Sequence, residues 1–280
     1  MKRKLFITTV ALLFALMLIP SANAYASETV AAPAEDIEIP EYIRIGGRRH
    51  STSLTELDLS RSRLRNRDID SLRYMTSLTY LNLSENQISD LTPLANLTNL
   101  EILTLGTNQI NDLTPLANLT NLERLDLRVN LRITSLTPLA NLTNLEMLCL
   151  FATQTSDLAP LVNLTNLEDL RLGGGRDLAP LANLTNLKSL SASCSLISNL
   201  RPLANLTNLE NLELANNQIR DITPLANLVN LERLDICRNQ IRDITPLANL
   251  TNLEMLCLGD NRIRNWAPVD HVERVAGRPR

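Results

Sequence analysis

The strongest constraint on the fold is a phrase that returns along the chain at a near-constant interval. Leu91-Thr92-Pro93-Leu94-Ala95-Asn96-Leu97-Thr98-Asn99-Leu100 is echoed from Leu113, Leu136, Leu158, Leu178, Leu200, Ile222 and Ile244, mostly 22 residues apart. A unit of that length cannot bury its own leucines. Stacked against its neighbours, it shares one continuous core, so the period predicts a solenoid. Composition agrees: aromatics are 3% of the 280 residues, too few for a globular core built on large rings.

With the first strand leucine as position 1, units begin at Leu54, Leu78, Leu100, Leu122, Leu145, Leu167, Leu187, Leu209, Leu231 and Leu253. The first half of each reads L-x-x-L-x-L-x-x-N, as in Leu78, Leu81, Leu83 and Asn86. That alternation predicts a short strand with Leu81 and Leu83 inward and Tyr80, Asn82 and Ser84 outward. In the second half, Thr92 is expected as a helix N-cap and Pro93 as the first helical residue, opening a short 3₁₀ or α turn. The asparagine at position 9 lies where the chain turns inward and buried backbone groups need partners. Asn86, Asn108, Asn130, Asn217, Asn239 and Asn261 are expected to form a ladder, with Thr153 and Ser195 as smaller substitutes. Successive strands build one parallel sheet at about 4.8 Å per step. The fold class is an α/β solenoid, a right-handed arc with the sheet on its concave face and the turns on its convex face.

The phrase N-x-I-x-D-L-T-P-L-A-N-L-T-N-L, as in Asn86 to Leu100, resembles the internalin-like leucine-rich repeats of Gram-positive bacteria. The resemblance covers about residues 43 to 279. The segment Asn265-Trp266-Ala267-Pro268-Val269-Asp270-His271-Val272 looks like the closing repeat of related secreted proteins. It implies a module that binds proteins through its concave face, in some members as an adhesin or invasion factor. Unlike the surface-anchored members, this sequence shows no anchor.

Residues 1–24 read as a secretory signal. Lys2, Arg3 and Lys4 precede the apolar run Leu5 to Ile19, and Ala22-Asn23-Ala24 supplies a cleavage pattern, with Ala26 as the second choice. A retained anchor is the weaker alternative, because the run is shorter than the roughly 20 residues of a spanning helix. Residues 25–40 read as a disordered linker, 41–53 as an N-terminal β cap around Ile43-Arg44-Ile45 and Gly46-Gly47, 54–274 as about ten repeats, and 275–280 as a tail. Trp266 takes a leucine slot in the last unit and is expected to cover the open leucine layer. Two units break register: the one from Leu122 has an extra residue near Leu131-Arg132, and the one from Leu167 is two short, with Gly173-Gly174-Gly175 at its turn.

Little in the sequence points to catalysis, a metal or a cofactor, and none of the three is expected. The two histidines, His50 and His271, lie roughly 45 Å apart at one strand spacing per unit, so no triad can share them. No phosphate loop or metalloprotease helix motif is present. Loss of the signal's three positive charges moves the formal net charge from −3 to −6, which argues against nucleic acid. Four cysteines, Cys149, Cys194, Cys237 and Cys257, invite a disulfide reading. A two-residue offset puts Cys237 and Cys257 about 8 Å apart in a flat sheet, beyond the roughly 7 Å bridging limit. Free thiols are the preferred reading, and that one pair stays open. The recurring Asn-Leu-Thr sequon reads as a by-product of the repeat.

Core positions barely change between units, whereas outward positions 3, 5, 7 and 8 vary. Tyr80, Ile102, Arg124, Asp126, Arg128, Met147, Phe151, Arg171, Arg233 and Asp235 are the candidate partner-binding residues. Met147, Cys149 and Phe151 would form an apolar strip beside Arg124, Asp126 and Arg128, the aromatic-plus-arginine chemistry of interface hot spots. Drift on an unconstrained surface is the competing reading. Position 2 is glutamate in Glu101, Glu123, Glu146, Glu168, Glu210, Glu232 and Glu254, read as copying by duplication rather than as an acidic rim. The expected protein is a secreted, monomeric binding module for an unidentified protein, outside the membrane once its signal is cleaved. The alternative is a structural or glycan-associated component of the cell envelope.

Overall fold

The computed structural model describes residues 39–278. The expected signal, most of the expected linker, and Pro279 and Arg280 lie outside them. At the start, β1 (Tyr42–Ile45) and β2 (Arg48–Ser51) form an antiparallel hairpin turned by Gly46 and Gly47, both at positive φ. Ile43 and Ile45 point from it into the core.

Each unit then contributes one three-residue strand. In chain order these are β3 (Glu56–Asp58), β4 (Tyr80–Asn82), β5 (Ile102–Thr104), β6 (Arg124–Asp126), β7 (Met147–Cys149) and β8 (Asp169–Arg171). They continue as β9 (Ser189–Ser191), β10 (Asn211–Glu213), β11 (Arg233–Asp235), β12 (Met255–Cys257) and β13 (Arg274–Ala276). All eleven pair in sequence order into one parallel sheet. The fold is a leucine-rich-repeat solenoid. Its last strand crosses the expected boundary at 274, because Val272 and Val275 extend the core pattern into what was read as a tail.

Behind the sheet the leucines form a single hydrophobic cluster, in which Leu81 and Leu83 are inaccessible to solvent and their leucine equivalents are buried. Trp266 packs against the end of that cluster. The turns on the far side are 3₁₀ throughout, as in Thr92–Leu94, Thr114–Leu116 and Thr223–Leu225. Their caps differ from the expectation. Leu91 occupies the N-cap and Thr92 is the first helical residue. Asp90, two residues earlier, accepts the Thr92 N–H at 2.8 Å, and Asp112, Asp221 and Asp243 repeat the contact with Thr114, Thr223 and Thr245. The Leu91 carbonyl already accepts from Leu94, which shifts the helical start by one residue and leaves the aspartate as the side-chain cap.

The position-9 asparagines stitch neighbouring units. Asn130, fully buried, donates to the carbonyls of Leu127 in its own unit and Leu105 in the preceding one, and accepts from the Ile110 N–H. Asn86, Asn108, Asn217, Asn239 and Asn261 make the corresponding bonds. A second ladder went unread in the sequence. Asn99, Asn121, Asn144, Asn166, Asn186, Asn208, Asn230 and Asn252 each donate to a carbonyl one unit back, near 2.9 Å. The Thr-Asn of the recurring phrase is thus structural.

Candidate functional site

The outward face of the sheet is where chain chemistry differs from unit to unit. In register across β6, β7 and β8 lie Arg124, Met147 and Asp169, and two residues on, Asp126, Cys149 and Arg171. Phe151 follows β7 at position 7 and is 58% exposed.

Two features order this patch. The Arg128 guanidinium pairs with Asp126 at 3.1 Å, while Asp126 also accepts the Arg128 backbone N–H at 3.0 Å. Arg128 lies across the neighbouring strand end, over Gly106: a Cβ there would sit 3.0 Å from Arg128 Cγ. On β8, Arg171 pairs with Asp169 at 3.1 Å, and that partner raises its pKa. Both arginines keep about half their side-chain surface open.

Two expected contact residues do not face solvent. Asp126 is 5% exposed because Arg128 folds back on it. Cys149 is also 5% exposed, set between Asp126 and Arg171, and burial pushes its thiol pKa up. The expected apolar strip is therefore Phe151 with a half-buried Met147, flanked by Arg128 and Arg171. Tyr80 and Ile102 are half-buried on β4 and β5, adjoining Arg124 in register. Arg233 and Asp235 stand apart on β11, separated from β8 by β9 and β10.

The cysteine reading is corrected as well. Cys237 and Cys257 are disulfide-bonded, with Cα atoms 5.4 Å apart. The 8 Å expectation assumed a strand that stays extended to position 7. Instead β11 ends at Asp235, whose Oδ1 accepts the Cys237 N–H at 3.0 Å, so Cys237 lies past the extended strand. Cys149 and Cys194 are free, the first buried and the second exposed. In the position-2 row, Lys188 interrupts the glutamates and pairs with Glu168 at 2.8 Å.

A third feature was missed in the sequence. The buried row Ile88, Ile110, Ile133, Ile197, Ile219 and Ile241 is broken by Thr155 and then, in the short unit from Leu167, by a missing residue. Above the gap runs an open groove of about 480 Å³ whose lining includes Thr155, Gly174, Cys194 and Leu196. The short unit from Leu167 marks the place in the sequence, but unit length alone does not show that the surface above it opens.

A family profile described as Leucine Rich repeats (2 copies) matches residues 76–118, 185–227 and 229–271. An internalin (InlF) from Listeria monocytogenes is similar at 38% identity with a TM-score of 0.73, over 75% of this chain and 63% of that one. The chain thus spans less than two thirds of that internalin. The functional domain of InlJ from the same organism, described as including a cysteine ladder, shares the fold at 24% identity and TM-score 0.68, over 81% and 50% of the two chains. The leucine-rich-repeat ectodomain of the Arabidopsis receptor kinase HAESA, in complex with an N-terminally extended IDA peptide hormone ligand, matches at 28% identity and TM-score 0.62, over 70% and 36%. No curated protein matches the sequence.

Proposed function

This chain is an internalin-like leucine-rich-repeat protein, and from that premise we propose that it is a secreted, adhesin-like module recognising a protein partner through the outward face of its sheet. Protein recognition is what this class of repeat supports: the HAESA ectodomain, a neighbour in fold, carries a bound peptide hormone. The observation that carries the reading is the patch over β6 to β8. Phe151 stands exposed between two half-open arginines, each already oriented by its own aspartate. An ordered arginine beside an aromatic loses little side-chain entropy on binding, which is what a hot spot requires.

Secretion fits the basic, apolar and small-residue segments of residues 1–24, and the Cys237–Cys257 disulfide suits an oxidising compartment. Among the described residues no helix is long and apolar enough to cross a membrane.

Proximity crosslinking in culture, followed by mass spectrometry, identifies the partner. Replacing both Phe151 and Arg128 by alanine then weakens affinity for it at least tenfold, while Arg233→Ala, three strands away from Arg171, leaves it within twofold. Unchanged affinity in the double variant overturns the assignment. Tight retention of the wild-type chain by purified wall material, with no protein captured, favours an envelope component instead.

A further inference from the structure

Outside that patch, one cluster on the same face joins three potential ligands of two types at short range. Asp235 on β11, Cys237 just after it, and Cys257 on β12 bring a carboxylate oxygen and two sulfurs within 4.8 Å of one another. We propose that, once the disulfide is reduced, these three groups bind a soft divalent cation, Zn²⁺ or Cd²⁺, so that the pair alternates between a covalent cross-link and a metal site.

The surroundings favour a cation. Asp126 and Asp169, also on this face, are each paired with an arginine, whereas Asp235 has no cationic partner among the described residues. Its in-register neighbour on β10 is Glu213, a second carboxylate about one strand spacing away. Like charges so placed repel, and a bound cation removes that cost. The carboxylate is already aimed, because Oδ1 accepts the Cys237 N–H at 3.0 Å and leaves Oδ2 uncommitted to that bond. Gly259 borders the pair, its Cβ position 3.4 Å from Cys237 Sγ, an ordinary contact distance. Two thiolates and one carboxylate are three protein ligands of a tetrahedral site, with the fourth position left to water or a partner's group.

Reduction needs a dithiol. It transfers two electrons and two protons, the Cys237–Cys257 bond breaks into two thiols, and the reagent leaves as its own disulfide. Cation binding then expels both thiol protons.

The test uses the full chain with Cys149→Ala and Cys194→Ser, so that every thiol signal comes from the pair. After reduction and anaerobic removal of the dithiol, Cd²⁺ alone is titrated, reading the ultraviolet thiolate-to-cadmium charge-transfer band and far-ultraviolet circular dichroism. The expected result is one Cd²⁺ per chain with an unchanged dichroism spectrum, protection of both thiols from alkylation, and no band in the oxidised protein. Asp235→Asn is expected to bind at least about tenfold more weakly, and Cys237→Ser to lose the band. No band in a reduced, folded chain overturns the proposal, as does full affinity in Asp235→Asn. Loss of the sheet signal on reduction overturns it too, because the site then has no frame.

Discussion

At position 8 of nine units a residue with a side chain sits in the left-handed region: Arg61, Glu85, Thr107, Val129, Ala152, Cys194, Asn216, Arg238 and Asp260, with φ from 53° to 60°. The reversal turns the chain inward, and in seven of these nine units the following position-9 residue is buried. For an L-residue it costs about 1–2 kcal/mol, least for asparagine and most for a β-branched side chain. Val129 is the worst match, so Val129→Asn should raise stability by about 1 kcal/mol, seen as a melting point higher by about 2–4 °C. A lower melting point would show that Val129 makes contacts outweighing its backbone strain. The next residue predicts the opposite sign. Asn130→Ala strands two carbonyls and an amide in a site without solvent access and should cost about 3 kcal/mol by denaturant titration. The half-buried Asn261→Ala should cost less, because water reaches the groups it leaves. The asparagine ladder was legible in the sequence because one side chain does the same task in six units. The left-handed backbone was not, because the demand falls on φ and the residue filling it differs every time.

The cap of each 3₁₀ turn ties stability to pH. Asp90, Asp112, Asp221 and Asp243 have pKa values below the ordinary 3.8, held down by the side-chain and then the backbone hydrogen bond from the following threonine. A depressed folded-state pKa means the unfolded chain binds protons first on acidification. Their contribution is therefore complete above the ordinary value and is lost as pH falls through the folded values. Denaturant midpoints measured from pH 5 downward should fall, and a variant with all four changed to asparagine should fall less steeply. That variant keeps the cap geometry, since Asn199 and Asn265 already make the equivalent bond. Equal slopes would assign the acid sensitivity elsewhere. A turn of another kind tests packing. At Gly173 a Cβ would stand 2.3 Å from the Leu150 carbonyl oxygen and 2.6 Å from the Thr153 nitrogen, both backbone atoms. Gly173→Ala should cost about 2–3 kcal/mol, because neither atom can yield without moving the adjacent unit. Strand and turn positions were readable from leucine spacing alone. The disulfide and the buried Cys149 were not, because both depend on where the chain leaves the strand plane and which way an arginine folds, and flat-sheet spacing contains neither.

A stack in which each unit touches only its neighbours is as cooperative as its weakest junction. Both ends here are reinforced, one by the β1–β2 hairpin and the other by Trp266 and the Cys237–Cys257 bridge. The middle is where stitching fails. Between Asn130 and Asn217 position 9 holds Thr153, Gly175 and Ser195. The Thr153 hydroxyl reaches only its own unit's Leu150 carbonyl and the Thr155 hydroxyl, and Ser195 reaches the Ser193 carbonyl, so neither spans to the preceding unit. The isoleucine row is interrupted in the same units, whereas the outer asparagine ladder runs on through Asn166, Asn186 and Asn208. One of two ladders and one core row are thus missing at a single place, next to the Phe151 patch. Native-state hydrogen exchange should show the lowest opening free energies in the units from Leu145 to Leu187, with higher values on both sides. Protection that falls steadily toward either terminus instead would mean the caps, not the broken ladder, set the weak point. Introducing asparagine at Thr153 offers the converse measurement. A side chain long enough to reach the Leu127 carbonyl of the preceding unit should raise protection on both sides of the junction at once, because stabilising one interface in a linear stack stabilises both units that share it.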